Sequence, residues 1–257
     1  MRNFLFIFIF FFSGAAVAQT APPVRLKVLC YNLRFGELAS LEELAGFIKA
    51  QDPDVVALQE VDCRTYRGRT PEQHGKDFIT ELGFRTGMLT AFGKTIPYAG
   101  GYYGIGILSK YPLASVERIY LPKTADGKEQ RAVLVADIEY REGRYFTFAS
   151  THLDYVNNQV RQAQVEKLNE VLTSRAHPVI LCGDFNARPH YEEIAHGMAS
   201  WRPLDNTEFT VPANNPLYKI DYIFGYPKER WKSIEAVTYP VQLSDHLPLG
   251  ALVELHE

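Results

Sequence analysis

The 257-residue chain is long enough to bury a sizeable core as one large domain or two small ones, without disulfide staples. Hydrophobic residues form 46% of it and charged residues 22%, an ordinary globular balance. A formal net charge of −3 argues against the broad cationic surface used in non-specific duplex binding, while leaving room for a local basic groove.

The first segment reads as a leader. Arg2 precedes an unbroken apolar run over residues 4–12, and small residues then lead to Ala16-Val17-Ala18 before Gln19. These are the n-region, h-region and A-x-A-like site of a secretory signal peptide. The run is shorter than the ~20 residues a membrane span needs, so cleavage after Ala18 is expected rather than retention as an anchor. No Cys stands near that site, which argues against a lipid anchor. Loss of Arg2 takes the net charge from −3 to −4. Residues 19–257 are then expected as one secreted or periplasmic domain, a monomer without a transmembrane span.

From Arg25 onward, β-rich runs alternate with helical spacing. Residues 25–32 read as a strand ending at the polar Asn32. Leu41, Leu44, Ala45 and Ile48 recur at helical spacing behind Ser40, a suitable N-cap, and Asp52-Pro53-Asp54 breaks the helix. Residues 55–58 form a short buried strand with Gln59 and Glu60 at its end. A weaker helix follows around residues 75–82, then strands over 103–109, 131–140 and 145–151. The clearest helix spans residues 158–173, with Val160, Ala163, Leu168, Val171 and Leu172 on its apolar side. Residues 178–182 are a fully apolar strand, and further strands are expected over 218–224 and 247–255. No linker, low-complexity tract or tandem repeat interrupts the pattern. It fits one α/β domain, either two packed sheets with helices outside or one doubly wound sheet.

Cys30, Cys63 and Cys182 are an odd number of thiols, so at least one lies outside any intramolecular pair. Cys30 and Cys182 sit in apolar runs and read as buried small hydrophobes.

Several of the hydrophobic strands end in an acid, amide or histidine: Asn32, Glu60, His152, Asp184 with Asn186, Asp221, and Asp245 with His246. Singly, each has a structural explanation; together they are placed to converge on one cleft held by rigid elements. Asn32, Glu60 and Asp245 are hard oxygen ligands suited to Mg²⁺ or Mn²⁺ rather than zinc. Asp184 and Asn186 are one residue apart, so in an extended segment they face the same side. One can deprotonate water while the other donates to phosphate. His246 can stabilise phosphoryl charge with Asp221 fixing its tautomer, and His152 is a second donor to phosphate oxygen.

Six motifs follow in order: Tyr31-Asn32-Leu33-Arg34, Leu58-Gln59-Glu60-Val61-Asp62, Ser150-Thr151-His152-Leu153-Asp154, Gly183-Asp184-Phe185-Asn186, Ile220-Asp221-Tyr222-Ile223 and Ser244-Asp245-His246-Leu247-Pro248. In this the chain resembles the endonuclease/exonuclease/phosphatase superfamily from about residue 25 to residue 255. The resemblance implies a four-layered, deoxyribonuclease I-like α/β sandwich of two mixed sheets flanked by helices. It also implies a metal-binding pair, Asn32 and Glu60, with Asp245 near the metal. By the same resemblance Asp184 activates water with Asn186 as its partner, Asp221 orients the catalytic His246, and His152 is the second active-site histidine.

Substrate contacts are less sharply marked. Arg64, Arg67 and Arg69 follow Glu60 in a polar loop, where they either meet an anionic group or form a solvated basic loop. Tyr98, Tyr102 and Tyr103 flank Gly100-Gly101 and either stack on substrate or pack on the sheet rim, Tyr102 being the first choice for a phosphate contact. Asp62 and Asp154 read as structural, and Lys94 has no stronger claim than other lysines. A small, sugar-linked or lipid-linked phosphoester is the expected substrate. A secreted nuclease is the alternative, since a local basic stripe beginning at Arg64 would grip nucleic acid. A non-catalytic phosphate-binding module is the third reading.

Overall fold

The structure is a computed structural model that describes residues 23–256 apart from 125, 126 and 128. The leader read in residues 1–18 lies outside the described residues. Among those described, no helix is long and apolar enough to cross a membrane.

In chain order the elements are β1 (Val24–Asn32), α1 (Leu41–Gln51), β2 (Val55–Cys63), α2 (Phe78–Thr86), β3 (Leu89–Tyr98), β4 (Gly101–Ser109), β5 (Leu113–Tyr120) and β6 (Ala132–Arg141). There follow β7 (Arg144–His152), α3 (Asn158–Leu172), β8 (Val179–Asp184), α4 (Glu192–Ala195), β9 (Arg202–Pro203), β10 (Asp221–Tyr226), β11 (Trp231–Thr238) and β12 (Leu249–Leu255). One sheet has the order β3-β4-β2-β1-β12-β11 and the other β5-β6-β7-β8-β10-β9. Each holds one parallel pair at its centre, β1 with β2 and β7 with β8. Parallel neighbours need a crossover, supplied by α1 in the first sheet and α3 in the second. This settles the architecture as two packed mixed sheets, not one doubly wound sheet.

Residues of both sheets, among them Val28, Cys30, Ala57, Leu134, Phe148, Ile180 and Cys182, fill the space between them. Outside, α1 and α2 cover the first sheet through Leu44, Ile48 and Phe78, while α3 covers the second through Val165, Leu168 and Leu172. Each such side chain contributes about 1.5–3 kcal/mol by leaving water. The result is four layers. Helix α1 starts as its sequence dictates. Ser40 accepts from the Glu43 amide and the Glu43 carboxylate accepts from the Ser40 amide, a reciprocal capping box.

Some boundaries differ from the sequence reading, each for a local reason. Helix α2 begins at Phe78, not near Gly75, because Asp77 caps it and Gly75 has a positive φ of 72°. Strand β2 does not end at Glu60 but continues to Cys63. Asp221 opens its strand instead of closing one, and His246 lies in the loop before β12. Because β10 runs antiparallel to β8 and β12 antiparallel to β1, these two starts meet the ends of β1, β7 and β8 at one rim.

Candidate active site

That rim carries the polar residues. Asn32, His152 and Asp184 are the last residues of β1, β7 and β8, and Asp221 is the first of β10. His152 stands beside Asp184 in the β7–β8 register, and Asp221 beside it from β10. Glu60 reaches the same place by another device. The pairing of β2 with β4 slips between Leu58 and Val61, and Glu60 sits in this bulge with a φ of 55°. A side chain other than glycine pays roughly 1–3 kcal/mol to hold such a backbone, and bulges commonly re-aim a functional side chain. Asn186 also has a positive φ, 48°.

Asp184 is the hub. Its Oδ2 accepts from Asn32 Nδ2 at 3.1 Å and lies 3.5 Å from His152 Nε2 and 3.8 Å from His246 Nε2. Its Oδ1 accepts from the Asn186 amide at 2.8 Å. The same Asn32 amide group donates to Glu60 Oε1 at 3.2 Å, while Asn32 Oδ1 accepts from the Arg34 amide at 3.0 Å. Asn32 therefore bridges two carboxylates from two different sheets. Deeper in the same seam, Gln59 Nε2 donates to Ser150 Oγ at 3.2 Å, and Ser150 Oγ donates to the Leu58 carbonyl at 3.2 Å.

His246 Nδ1 is 2.9 Å from Asp221 Oδ2, which also accepts from Thr210 Oγ1 at 2.5 Å. Asp221 Oδ1 and His152 Nδ1 are buried with no hydrogen-bond partner among the described residues. These surroundings spread the protonation equilibria apart. Burial, then the charge of Asp221, push the Asp184 carboxyl up to about 7. Burial alone would depress His246, but the charge and hydrogen bond of Asp221, followed by Asp184 and Glu60, lift it to about 9. Burial, then Arg131 and His246, hold His152 well below the ordinary imidazole range. A proton-poor imidazole and a proton-rich one thus flank one carboxyl group.

The cleft above these groups has a volume of about 310 Å³, at the small end of the ~300–1,000 Å³ typical of ligand pockets. Glu60, His152, Asp184, Asn186 and His246 line it, as do Arg67 and Tyr98. Asn186 Nδ2 donates to the Leu153 carbonyl at 3.1 Å. Asp245 is held differently, with its carboxylate ion-paired to Arg34. Arg64 is exposed and does not line the cleft; Tyr102 borders a neighbouring shallow depression, its ring 5.0 Å from Lys94 Nζ. Arg69 is bound to Glu37.

Sequence reasoning overlooked Thr210, Phe35, Arg131, Glu129 and Tyr155. Arg131 is 3% exposed, pairs with Glu129 at 3.2 Å and lines the cleft, and its Nε has no hydrogen-bond partner among the described residues. A cation directly ahead of the apolar run Ala132-Val133-Leu134 was the available signal. Starts of antiparallel strands reach the same rim as strand ends, so a polar residue at a strand start can carry the same meaning as one at a strand end. Thr210 sends no such signal, because its loop meets Asp221 only through tertiary structure.

A family model described as the endonuclease/exonuclease/phosphatase family matches residues 29–246. An Escherichia coli protein, "Uncharacterized protein YbhP", is 27% identical over 262 residues, spanning 89% of this chain and 96% of that protein. Among solved structures, a functionally unknown conserved protein from Enterococcus faecalis superposes with a TM-score of 0.74 at 21% identity, covering 90% of this chain and 100% of the other. A mannosyl-6-phosphatase of Bacteroides thetaiotaomicron gives 0.70 at 16% identity, with 89% and 99% covered.

Proposed function

The chain belongs to the endonuclease/exonuclease/phosphatase family, and from that premise we propose that it is an exported hydrolase using Mg²⁺ or Mn²⁺ to direct water onto a small phosphoester. The observation that carries this reading is the convergence of Glu60, Asp184 and His246, from three separated motifs, on one cleft. The leader in residues 1–18 supports export. That the Bacteroides neighbour is named a mannosyl-6-phosphatase is consistent with a small phosphorylated substrate.

The donor set suits a hard divalent cation. Glu60, Asp184 and Asp221 crowd their negative charges together; burial first, then Asp221 and more weakly Glu60, lift the Asp184 carboxyl. Glu60 would hold the ion, with Asn32 fixing its carboxylate and Asp184 alongside. Asp184, Asp221 and His246 also place ligand atoms within 4.8 Å of one another, but Asp221 and His246 are already committed to their mutual hydrogen bond. Bound there, the cation would polarise a phosphoryl oxygen and stabilise the departing one.

The protein's own groups handle the proton. Water aimed at phosphorus loses its proton to an Asp184 carboxylate oxygen, whose lifted basicity suits a general base near neutral pH. His246 keeps its Nε2 proton toward the same region while Nδ1–H donates to Asp221, so it offers positive charge to the phosphoryl oxygens as they become more negative. Arg131 lines the same cleft and, paired on one side with Glu129, would bring its guanidinium toward a phosphate oxygen. His152, kept neutral, serves as a hydrogen-bonding donor.

The test is hydrolysis of a bis-aryl phosphodiester and the matching monoester with Mg²⁺ or Mn²⁺. Turnover is expected to vanish in excess EDTA and in Asp184→Ala. Activity that survives both would remove this mechanism. Plasmid DNA and RNA in parallel reactions decide the nuclease alternative, which predicts nicking with a steep loss at high salt.

A further inference from the structure

The cleft extends past the reacting groups to a wall built around Arg67, and that wall has a chemistry of its own. Asp62, 1% exposed, accepts from Arg67 Nε and Nη2 at 3.0 Å each and from Thr65 Oγ1 at 2.6 Å. The guanidinium carbon lies 3.9 Å from the Phe35 ring centroid and 4.2 Å from that of Tyr98. One edge and the faces of the guanidinium are therefore occupied. Nη1 has no acceptor among the described residues, and Arg67 lines the same cleft as Asp184 and His246. A group so firmly held is a pre-organised donor that costs little to use.

Its charge, however, is spent on Asp62. Also in the lining, Arg131 is paired with Glu129, and in the loop beyond Arg67 the Arg69 fork is taken by Glu37. Away from the scissile phosphate, the wall thus offers neutral donors and acceptors with aromatic faces, not an unpaired cation for a second phosphate. Resting on the reading of the site as a phosphoester hydrolase, we propose that the alcohol half of the substrate is a compact neutral polyol, a sugar or cyclitol. A hydroxyl oxygen accepts from Arg67 Nη1, the C–H face lies on Tyr98, and Glu129 accepts a hydrogen bond from a further hydroxyl. Esters with additional phosphates, nucleic acids included, fit this wall poorly.

The experiment compares wild-type protein with Mn²⁺ on three esters that share a primary alkyl phosphate, whose cleavage is followed by release of the matching primary alcohol: a hexose 6-phosphate, the matching hexose 1,6-bisphosphate and n-hexyl phosphate. Their methyl diesters form a second series and the bis-aryl diester is the reference. The hexose ester is expected to exceed the hexyl ester in kcat/KM by about 100-fold or more, because a site made to bond hydroxyls rejects analogues lacking them. It is expected to exceed the bisphosphate by about tenfold, the size of one unfavourable polar contact. Arg67→Lys keeps a cation for Asp62 but loses the fork, and is expected to shrink the hexose-to-hexyl ratio about tenfold, chiefly through KM. Tyr98→Leu, at a site 41% exposed and so safe for folding, is expected to shrink it several-fold, about the worth of one aromatic contact. Equal turnover of hexose and hexyl esters, a preference for the bisphosphate, or an unchanged ratio in both variants would overturn the proposal and leave Arg67 as a loop staple. If the reference diester is cleaved while these results hold, the hydrolase reading survives alone. If neither it nor any ester is touched, both fall.

Discussion

Thr210→Val isolates one hydrogen bond at the heart of the site without changing side-chain shape. Thr210 is fully buried and donates to Asp221 Oδ2, the oxygen that also meets His246, while Asp221 Oδ1 has no partner among the described residues. Valine fills the same volume, so no cavity adds to the cost. The loss is that of a hydrogen bond to a charged acceptor, about 1.5–3 kcal/mol. For a domain of this size that corresponds to a fall in Tm of roughly 4–10 °C. The Asp221 carboxylate, stripped of a donor, holds the His246 proton more tightly, so the imidazole titration moves up from about 9. With the ring less firmly placed, kcat is expected to drop about tenfold, one hydrogen bond's worth of positioning. Urea unfolding gives the stability, NMR titration of the imidazole gives the pKa, and a cycle with Asp221→Asn isolates the pair's coupling. If Thr210→Val unfolds within about 0.5 kcal/mol of wild type with kcat unchanged, Asp221 does not depend on this hydroxyl and the positioning argument is wrong.

Gly183→Ala tests the rim from below. An added Cβ would stand 2.3 Å from the Thr151 carbonyl oxygen, so β7 and β8 must part; a loss of several kcal/mol is expected by thermal melt, with His152 and Asp184 pulled out of register. Arg131→Ala is expected to cut kcat/KM about 100-fold or more by removing a fixed cation from the phosphoryl site, with Arg131→Lys recovering part of it in steady-state assays. Stability should also depend on pH in a particular sense. Asp184 and His246 both bind their protons more tightly folded than unfolded, so their contribution is full at low pH. It declines as pH rises from about 4 through about 7 for the first, and from about 6.5 through about 9 for the second. In chelator, Tm is expected to fall between pH 6 and 9.5; a Tm that rises over that range contradicts the lifted pKa values.

The sequence made the central strands and their polar tips readable because a strand buried on both faces is nearly continuous hydrophobe, and a polar residue at its tip stands out. The Val179–Asp184 strand, buried throughout, is the clearest case. Edge strands left no comparable signal. All eight residues of β5 are half-buried or exposed, and the buried positions of β3 are the small Ala91, Gly93 and Thr95. The acids and histidines of the site were found from residue type and motif order. What escaped were contacts made by loops that arrive from elsewhere: Thr210 on Asp221 and Phe35 on Arg67. The bulge at Glu60 escaped too, since nothing in Leu58-Gln59-Glu60-Val61 announces that the strand will swivel and resume.

The polar links between the sheets carry a mechanical consequence. Half of the reacting groups ride on one leaf of the sandwich and half on the other, so their spacing is only as good as the alignment of the leaves. Asn32–Asp184, Gln59–Ser150 and Ser150 with the Leu58 carbonyl act as rivets through that joint, where apolar surfaces alone would tolerate slippage. Catalytic geometry here is thus a property of the seam, and loosening a rivet out of reach of any substrate should be felt at the phosphorus.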